Sequence, residues 1–174
     1  VLQRSGYLVT MHQLLKQIFV TGNKTEAAPE PDENLRVISQ RLEKAMLDTL
    51  GRALVIRHID AGSCNGCELE IHALGNPYYN LEALGIRFAA SPRHADLLLV
   101  TGPVAQNMVA ALQRAYDATP EPKLVVAVGD CGCHDESIFG KSYASCGRVS
   151  NVIPVDVAVP GCPPTPLALM QGIL

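Results

Sequence analysis

The sequence predicts an α/β fold, in which an open parallel sheet carries helices on its faces. Two observations support this prediction. Short apolar, β-branched runs recur from residue 54 onward, and segments with helical periodicity lie between them. The longer runs are apolar without interruption, which is typical of strands that are buried on both faces of a sheet. Strands that alternate with helices in this way form parallel sheets through crossover connections.

The predicted sheet is flavodoxin-like, with flanking helices and a helical extension at the N-terminus. Strands are expected at residues 54–56, 86–88, 97–100, 124–128 and 152–155, and helices at about 68–75, 77–84, 104–118 and 164–174. Prolines bracket residues 155–159. Because proline is excluded from central strands, this segment is expected to be a loop or extended chain and not a further central strand.

The N-terminal region, residues 1–51, is predicted to be separate from the sheet domain at residues 52–174. Apolar residues in 1–20 fall on one face of a helix, which either packs on its own domain or docks on a partner or a membrane surface. These residues are Leu8, Met11, Leu14, Leu15, Ile18 and Phe19. The acidic, proline-containing stretch 21–34 is typical of a flexible linker and favours docking away from the core. A second helix is expected at residues 35–50, with Gly51 as its stop signal.

Composition indicates a folded domain with an appendage. The chain has 174 residues, of which 48% are hydrophobic. The net charge of −3, with both signs interspersed, lacks the strongly basic footprint of a nucleic-acid binder. No run of 18 apolar residues predicts a membrane span. Six cysteines without a secretion signal pattern favour reduced thiols, and therefore metal or redox chemistry.

Four of the cysteines follow predicted strands. Cys64 and Cys67 follow the first strand, Cys131 follows the fourth, and Cys162 follows the fifth. In an open parallel sheet, ligands bind beyond the carboxyl ends of the strands. The sequence therefore predicts that three loops bring four sulfur atoms to one edge of the sheet.

Residue type and spacing leave three kinds of site open. Thiolates suit zinc and iron–sulfur clusters, and a cubane cluster takes one cysteine for each of its four irons. Pro163 directly follows Cys162, as proline often follows the last ligand of ferredoxin-type sites. A structural zinc site and a thioredoxin-like dithiol remain alternatives, although a dithiol leaves Cys131 and Cys162 without a role. Cys133 competes with Cys131 as a ligand, and Cys146 is expected to pack as a small apolar residue.

Five motifs carry a family likeness, and they occur in a fixed order. They are Cys64-Asn65-Gly66-Cys67-Glu68-Leu69-Glu70-Ile71, Ser91-Pro92-Arg93-His94-Ala95-Asp96, Pro120-Glu121-Pro122-Lys123, Ile153-Pro154-Val155-Asp156-Val157 and Pro160-Gly161-Cys162-Pro163-Pro164-Thr165-Pro166. Together they resemble the family of the 20 kDa subunit of NADH:ubiquinone oxidoreductase and the small subunits of membrane-bound [NiFe] hydrogenases. The likeness covers residues 52–174.

The resemblance implies an oxidoreductase subunit with a single [4Fe-4S] cluster on Cys64, Cys67, Cys131 and Cys162. It also implies a large catalytic subunit of the [NiFe]-hydrogenase type, a ferredoxin-like iron–sulfur subunit, and membrane subunits that hold the complex at the cytoplasmic face of a membrane. Electrons would pass between the large and the ferredoxin-like subunits. The family's nickel ligands come as paired Cys-x-x-Cys motifs, and this chain has one such pair. Hydrogen chemistry is therefore expected on another chain, and no nucleic-acid partner is expected.

Two branches of the family differ at the first cysteine motif. Respiratory subunits have two adjacent cysteines there, whereas Cys64-Asn65-Gly66-Cys67 looks like the energy-converting hydrogenases of the formate-hydrogenlyase type. The chain is therefore assigned to the hydrogenase branch, with a quinone-reducing subunit as the alternative. The segment from Asp130 to Phe139 departs from the commoner glycine-rich version, so Cys133 stays an alternative to Cys131.

Two further residues are candidates for roles near the cluster. Glu70 matches the family's acidic position three residues after the second cysteine, and it could accept protons that are coupled to electron transfer. Its alternative role is a solvated carboxylate on a helix face. Arg93 could donate hydrogen bonds toward the cluster or pair across the subunit interface, and its alternative is a surface ion pair of little energetic value. His72 and His94 are expected to be structural.

Overall fold

The computed structural model describes residues 32–49, 51–135, 138–139 and 142–174, together with isolated positions before residue 32. The chain divides into two compact units, Val1–Pro31 and Asp32–Leu174. In the first unit, the described residues 16, 19 and 20 are helical. The rest of the helix predicted at 1–20 lies outside the described residues. The partner-docking role of residues 1–51 stays a prediction.

The second unit is built on a sheet of five parallel strands in the order β2-β1-β3-β4-β5. The strands are β1 (Leu54–Asp60), β2 (Ile86–Phe88), β3 (Leu97–Thr101), β4 (Leu124–Val128) and β5 (Val157–Val159). This order is that of flavodoxin-like sheets, so the predicted fold class is confirmed. β3 lies between β1 and β4 and is buried throughout, which explains its uninterrupted apolar run.

The position of the fifth strand was predicted wrongly. Residues 152–155 follow a 3₁₀ turn at Val149–Asn151, and Ile153 packs into the core from irregular chain. The strand is Val157–Val159, inside the segment predicted to be a loop or extended chain. Within the described part of the chain, β5 lies at the edge of the sheet and pairs only with β4. The flanking Pro154 and Pro160 lie outside the three paired residues, so neither removes a donor from the ladder.

Helices cover both faces of the sheet. α1 (Glu33–Thr49), α2 (Gly66–Ala73) and α5 (Pro166–Ile173) pack on one face, and α3 (Val109–Ala118) packs on the other. α4 (Asp130–Cys133) is a single helical turn directly after β4. The face under α1, α2 and α5 carries one apolar cluster, and the face under α3 carries a second. The cysteine loops therefore leave a sheet that is packed on both sides.

Two predicted helices are shorter than expected. The segment 77–84 contains only a 3₁₀ turn at Leu81–Leu84, and the segment 104–118 becomes α-helical at Val109 after a 3₁₀ turn. In the first case, the side chain of Asn76 accepts hydrogen bonds from the backbone N–H groups of Tyr78 and Tyr79. Asn80 then takes a left-handed conformation with φ of 45°. These local interactions replace the helical hydrogen bonds that the apolar spacing suggested.

Helix α1 belongs to the same core as the sheet, and its burial predicts a measurable loss of stability. Leu42 is 2% exposed, whereas Leu47 on the same helix is 67% exposed. We expect Leu42→Ala to lower the free energy of unfolding by about 2–5 kcal/mol, because it leaves a cavity under the helix. The matched control Leu47→Ala is expected to change it by less than about 0.5 kcal/mol. Urea unfolding of the full chain measures both values, and equal losses would contradict the packing of α1.

Candidate metal centre

The cysteine edge of the sheet begins with the loop after β1. The side-chain Oδ1 of Asp60 accepts hydrogen bonds from the backbone N–H groups of Gly62 and Ser63, at 2.8 and 2.9 Å. This turn leads into Cys64, which is exposed. Cys67 lies in the first turn of α2 and is half-buried against the core. The two sulfur atoms of the pair therefore lie in different surroundings.

Gly129 brings the loop after β4 against this pair. Its φ is +84°, and a Cβ atom added there would lie 2.6 Å from the Sγ of Cys67. Only glycine combines this backbone conformation with such a close approach. The end of β4 is thereby held directly beside the Cys67 sulfur, and Cys131 follows two residues later.

Hydrogen bonds join the loop after β4 to the loop after β5. The N–H of Gly129 donates to the carbonyl of Val159 at 2.8 Å, and the N–H of Asp130 donates to the carbonyl of Gly161 at 2.9 Å. In return, the N–H of Gly161 donates to the Oδ1 of Asp130 at 2.7 Å. Cys131 and Cys162 each directly follow one partner of the Asp130–Gly161 pair.

The electrostatics of Cys67 reflect the sulfur atoms around it. Burial raises the pKa of the Cys67 thiol to about 12, and negative charge on Glu68, Cys64, Cys131 and Cys162 acts in the same direction. All three other predicted ligands are thus close enough to Cys67 to repel its thiolate. A thiol with a raised pKa is protonated near neutral pH and is a weak nucleophile. In a dithiol pair the exposed Cys64 would be the attacking thiol, so the raised pKa of Cys67 does not decide between a dithiol and a metal site.

Cys133 and Cys146 have different surroundings from these four cysteines. Cys133 packs against the apolar cluster under α3, and its Sγ donates to the carbonyl of Ala127 at 3.5 Å. Burial raises its pKa to about 11. Cys67 packs against the cluster on the opposite face. Cys146 is also partly buried in the α3 cluster, which is the packing role that the sequence predicted.

The structure brings neither Glu70 nor Arg93 into a described contact with the cysteines. Glu70 is half-exposed on α2, and Arg93 is exposed in a 3₁₀ turn at Pro92–His94. Among the described residues, neither side chain makes a hydrogen bond or an ion pair. Proton transfer by Glu70 and a contact of Arg93 with the cluster stay predictions. His72 and His94 are both exposed.

A buried carboxylate that the sequence analysis missed lies next to Cys67. Glu68 is 6% exposed, and neither carboxylate oxygen accepts a hydrogen bond from the described residues. The Nε2 of His58 lies 3.7 Å from its Oε1 and 3.2 Å from the hydroxyl of Thr101. Burial lowers the pKa of His58, and the charges of Glu68 and Asp60 partly oppose this. Glu68 lies three residues before the apolar Ile71 on α2, a spacing that places both side chains on one face of the helix. This spacing indicates that the Glu68 side chain faces the core.

The described part of the chain contains no group of three His, Cys, Asp or Glu side chains with the geometry of a single bound metal ion. A cubane takes one cysteine per iron, so its ligands surround a larger body than one ion. The chemistry of the donor set fits such a group, because the loops after β1, β4 and β5 carry four cysteines at one edge of the sheet and Gly129 places no side chain over the sulfur of Cys67. Among the described helices, none has the length and hydropathy to span a membrane.

Comparison with known proteins assigns the family. Residues 64–174 match the family model described as the 20 kDa subunit of NADH ubiquinone oxidoreductase. The chain belongs to this family. The matched range contains all four predicted ligands, and the predicted resemblance is confirmed. The protein is therefore an oxidoreductase subunit of the family that includes hydrogenase and NADH-quinone oxidoreductase small subunits.

Individual relatives of this family come from both hydrogenase and respiratory complexes. A probable membrane-bound hydrogenase subunit of Pyrococcus furiosus is 43% identical over 138 residues, which are 78% of this chain and 82% of the relative. Formate hydrogenlyase subunit 7 of Escherichia coli is 40% identical over 75% of this chain, which spans only 51% of that protein. A chain in the structure of the membrane-bound sulfane sulfur reductase, an archaeal respiratory membrane complex, matches with a TM-score of 0.62 and 33% identity. That match covers 82% of this chain and 72% of the other.

The close approach at Gly129 predicts that its substitution is costly. We expect Gly129→Ala to lower the free energy of unfolding by more than about 3 kcal/mol, because the backbone conformation and the contact with Cys67 both become strained. Gly51 is a matched control, since its φ is +61° and nothing lies within 4 Å of an added Cβ. Gly51→Ala is expected to cost only about 1–2 kcal/mol. Urea unfolding of both variants measures the difference, and similar losses would show that the contact with Cys67 is not tight.

Proposed function

We propose that the chain is the electron-transfer small subunit of a membrane-associated [NiFe]-hydrogenase-type complex. It carries one [4Fe-4S] cluster on Cys64, Cys67, Cys131 and Cys162. In this proposal, electrons pass between a large catalytic subunit of the [NiFe]-hydrogenase type and a ferredoxin-like iron–sulfur subunit. The complex lies at the cytoplasmic face of the membrane and is anchored by its other subunits.

The observation that carries the proposal is the convergence of sulfur around Cys67. The backbone of Gly129, two residues before Cys131, lies against the sulfur of Cys67, and hydrogen bonds join Asp130 to Gly161, the residues directly before Cys131 and Cys162. Beyond the effect of burial and of Glu68, negative charge on Cys64, Cys131 and Cys162 raises the pKa of Cys67 further. Cys131 is favoured over Cys133 as the third ligand, because Cys133 packs on the opposite face of the sheet. Four cysteines are the number that a cubane cluster needs.

The cluster supplies one-electron transfer, and the protein's contribution is to hold it and to control its surroundings. Gly129 keeps backbone close to Cys67, and the hydrogen bonds between Asp130 and Gly161 join the residues directly before Cys131 and Cys162. The exposed Cys64 and Cys162 lie on the outer side of the site, where a partner subunit could cover them. The buried Glu68 places a carboxylate beside Cys67 without a described hydrogen-bond donor.

The hydrogenase branch is favoured by the spacing of the first motif, whereas the relatives include subunits of both branches. Two residues separate Cys64 from Cys67, as in the hydrogenase branch described above. The relatives named as hydrogenase and formate hydrogenlyase subunits align over 78% and 75% of the chain. The alternative is a subunit that delivers electrons toward quinone, which the family description supports. A structural zinc protein or a dithiol protein is the further alternative, although a dithiol leaves Cys131 and Cys162 without a role.

The choice of ligands predicts opposite results for two cysteines that are two residues apart. In the native complex, Cys131→Ala is expected to remove the iron and the reducible paramagnetic signal of this cluster, because one ligand is lost. Cys133→Ala is expected to keep both and to lower stability only slightly, since it removes a small packed side chain. Iron analysis and electron paramagnetic resonance measure these outcomes. Loss of the signal in Cys133→Ala alone would assign the third ligand to Cys133, and its retention in both variants would overturn the cluster assignment.

The branch assignment predicts the metal content of the partner. The complex isolated through a tag on this chain is expected to contain nickel in its large subunit, because the proposal places hydrogen chemistry there. Metal analysis of the separated subunits, with hydrogen-dependent dye reduction as the activity, tests this. A complex that contains iron but no nickel, and that reduces quinone, would support the alternative.

A further inference from the structure

We propose that Asp130 is a positioning residue for the metal centre. Its side chain and backbone together hold the loops of Cys131 and Cys162 at a fixed separation. This inference deepens the proposed function and rests on it, because it assumes that both cysteines bind the same cluster. Asp130 does not contact the cluster in this proposal and acts only through the two loops.

The contacts of Asp130 form a reciprocal bracket, which we define as two hydrogen bonds between the same pair of residues. The N–H of Asp130 donates to the carbonyl of Gly161 at 2.9 Å, and the N–H of Gly161 donates to the Oδ1 of Asp130 at 2.7 Å. Asp130 directly precedes Cys131, and Gly161 directly precedes Cys162. The bracket therefore joins the two residues that directly precede the proposed ligands in the chain.

The same chain uses this bracket twice at the opposite edge of the sheet. Asp96 exchanges hydrogen bonds with Val55 in the same way, at 2.8 and 3.0 Å. Asp156 exchanges them with Val125, at 2.9 and 2.7 Å. In both cases the aspartate precedes a strand and ties it to the start of a neighbouring strand. Only the bracket of Asp130, among these three, lies between two cysteine loops.

The backbone conformation at Gly161 is tightly constrained, so the position of its N–H group matters for the bracket. Gly161 has a φ of +136°, and an added Cβ would lie 2.6 Å from the Cα of Pro164. The loop is therefore tightly turned around Gly161, and its N–H points to a carboxylate as acceptor. Hydrogen bonds to charged acceptors are stronger than those to neutral ones. Loss of the Asp130 side chain would leave this N–H without its acceptor and would let the Cys162 loop move relative to Cys131.

The test compares three variants in the native complex. Asp130→Ala removes the acceptor, Asp130→Asn keeps an Oδ1 that can accept from Gly161, and Asp156→Ala removes the equivalent bracket away from the cysteines. The readouts are the rate at which a chelator extracts iron, the line shape of the paramagnetic signal, and hydrogen–deuterium exchange at the Gly161 amide. The last readout does not depend on a bound cluster.

We expect Asp130→Ala to speed amide exchange at Gly161 by about tenfold or more, which corresponds to the loss of one hydrogen bond to a charged group. Iron release is expected to accelerate severalfold, and the paramagnetic signal to broaden as the ligand positions vary. In Asp130→Asn, the rate of iron release and the width of the paramagnetic signal are expected to be close to those of the unsubstituted complex. Asp156→Ala is expected to lower overall stability and to leave iron release and line shape unchanged.

Three results would overturn the inference. They are unchanged iron release and line shape in Asp130→Ala, an Asp130→Asn variant as impaired as Asp130→Ala, and equal acceleration of iron release by Asp156→Ala. If Asp130→Ala does not assemble, Asp130→Asn decides: assembly with ordinary iron release supports the inference, and failure overturns it. Failure of the proposed function gives a different result from failure of this inference. If the proposed function is wrong, the unsubstituted complex has no paramagnetic signal that Cys131→Ala removes.

Discussion

The proposed metal centre depends on the close approach of the Gly129 backbone to the sulfur of Cys67. No side chain fits between them, since an added Cβ would lie 2.6 Å from the sulfur. The parallel sheet makes this contact possible, because β1 and β4 flank β3 and end at the same edge. The backbone of the loop after β4 is hydrogen-bonded to the loop after β5, and these bonds fix the two loops relative to each other. The positions of the cysteine loops therefore follow from the order and alignment of the strands in the sheet.

The sequence was sufficient to predict the sheet class and the edge of the sheet from which the cysteine loops leave. Uninterrupted apolar runs marked β1, β3 and β4, because central strands need apolar residues on both faces. The edge strand β5 was missed because only three residues pair, and its prolines suggested a loop. The choice of Cys131 over Cys133 as the third ligand came from the family resemblance and stays a prediction. Both lie within the one turn of α4, and only the packing of Cys133 under α3 separates them.

The buried Glu68 is an exception to the rules that the rest of the fold follows. Buried polar groups usually have hydrogen-bond partners, because an unsatisfied group retains its full desolvation cost. Neither oxygen of Glu68 accepts a hydrogen bond from the described residues, and His58 is 3.7 Å away. Exceptions of this kind concentrate at functional sites. The helical face that Glu68 shares with Ile71 indicates its burial, whereas the family resemblance pointed to Glu70, which is half-exposed.

The spacing of the first cysteine motif has a structural consequence for access to the site. Asn65 takes a left-handed conformation with φ of 71°, which turns the chain sharply between Cys64 and the helix that carries Cys67. Cys64 is therefore exposed while Cys67 is half-buried, and the same contrast separates the exposed Cys162 from the half-buried Cys131. A cluster held by these four residues would have one side against the protein and one side at the surface. Electron transfer needs a partner close to a cofactor, so the exposed side is where such a subunit would have to dock.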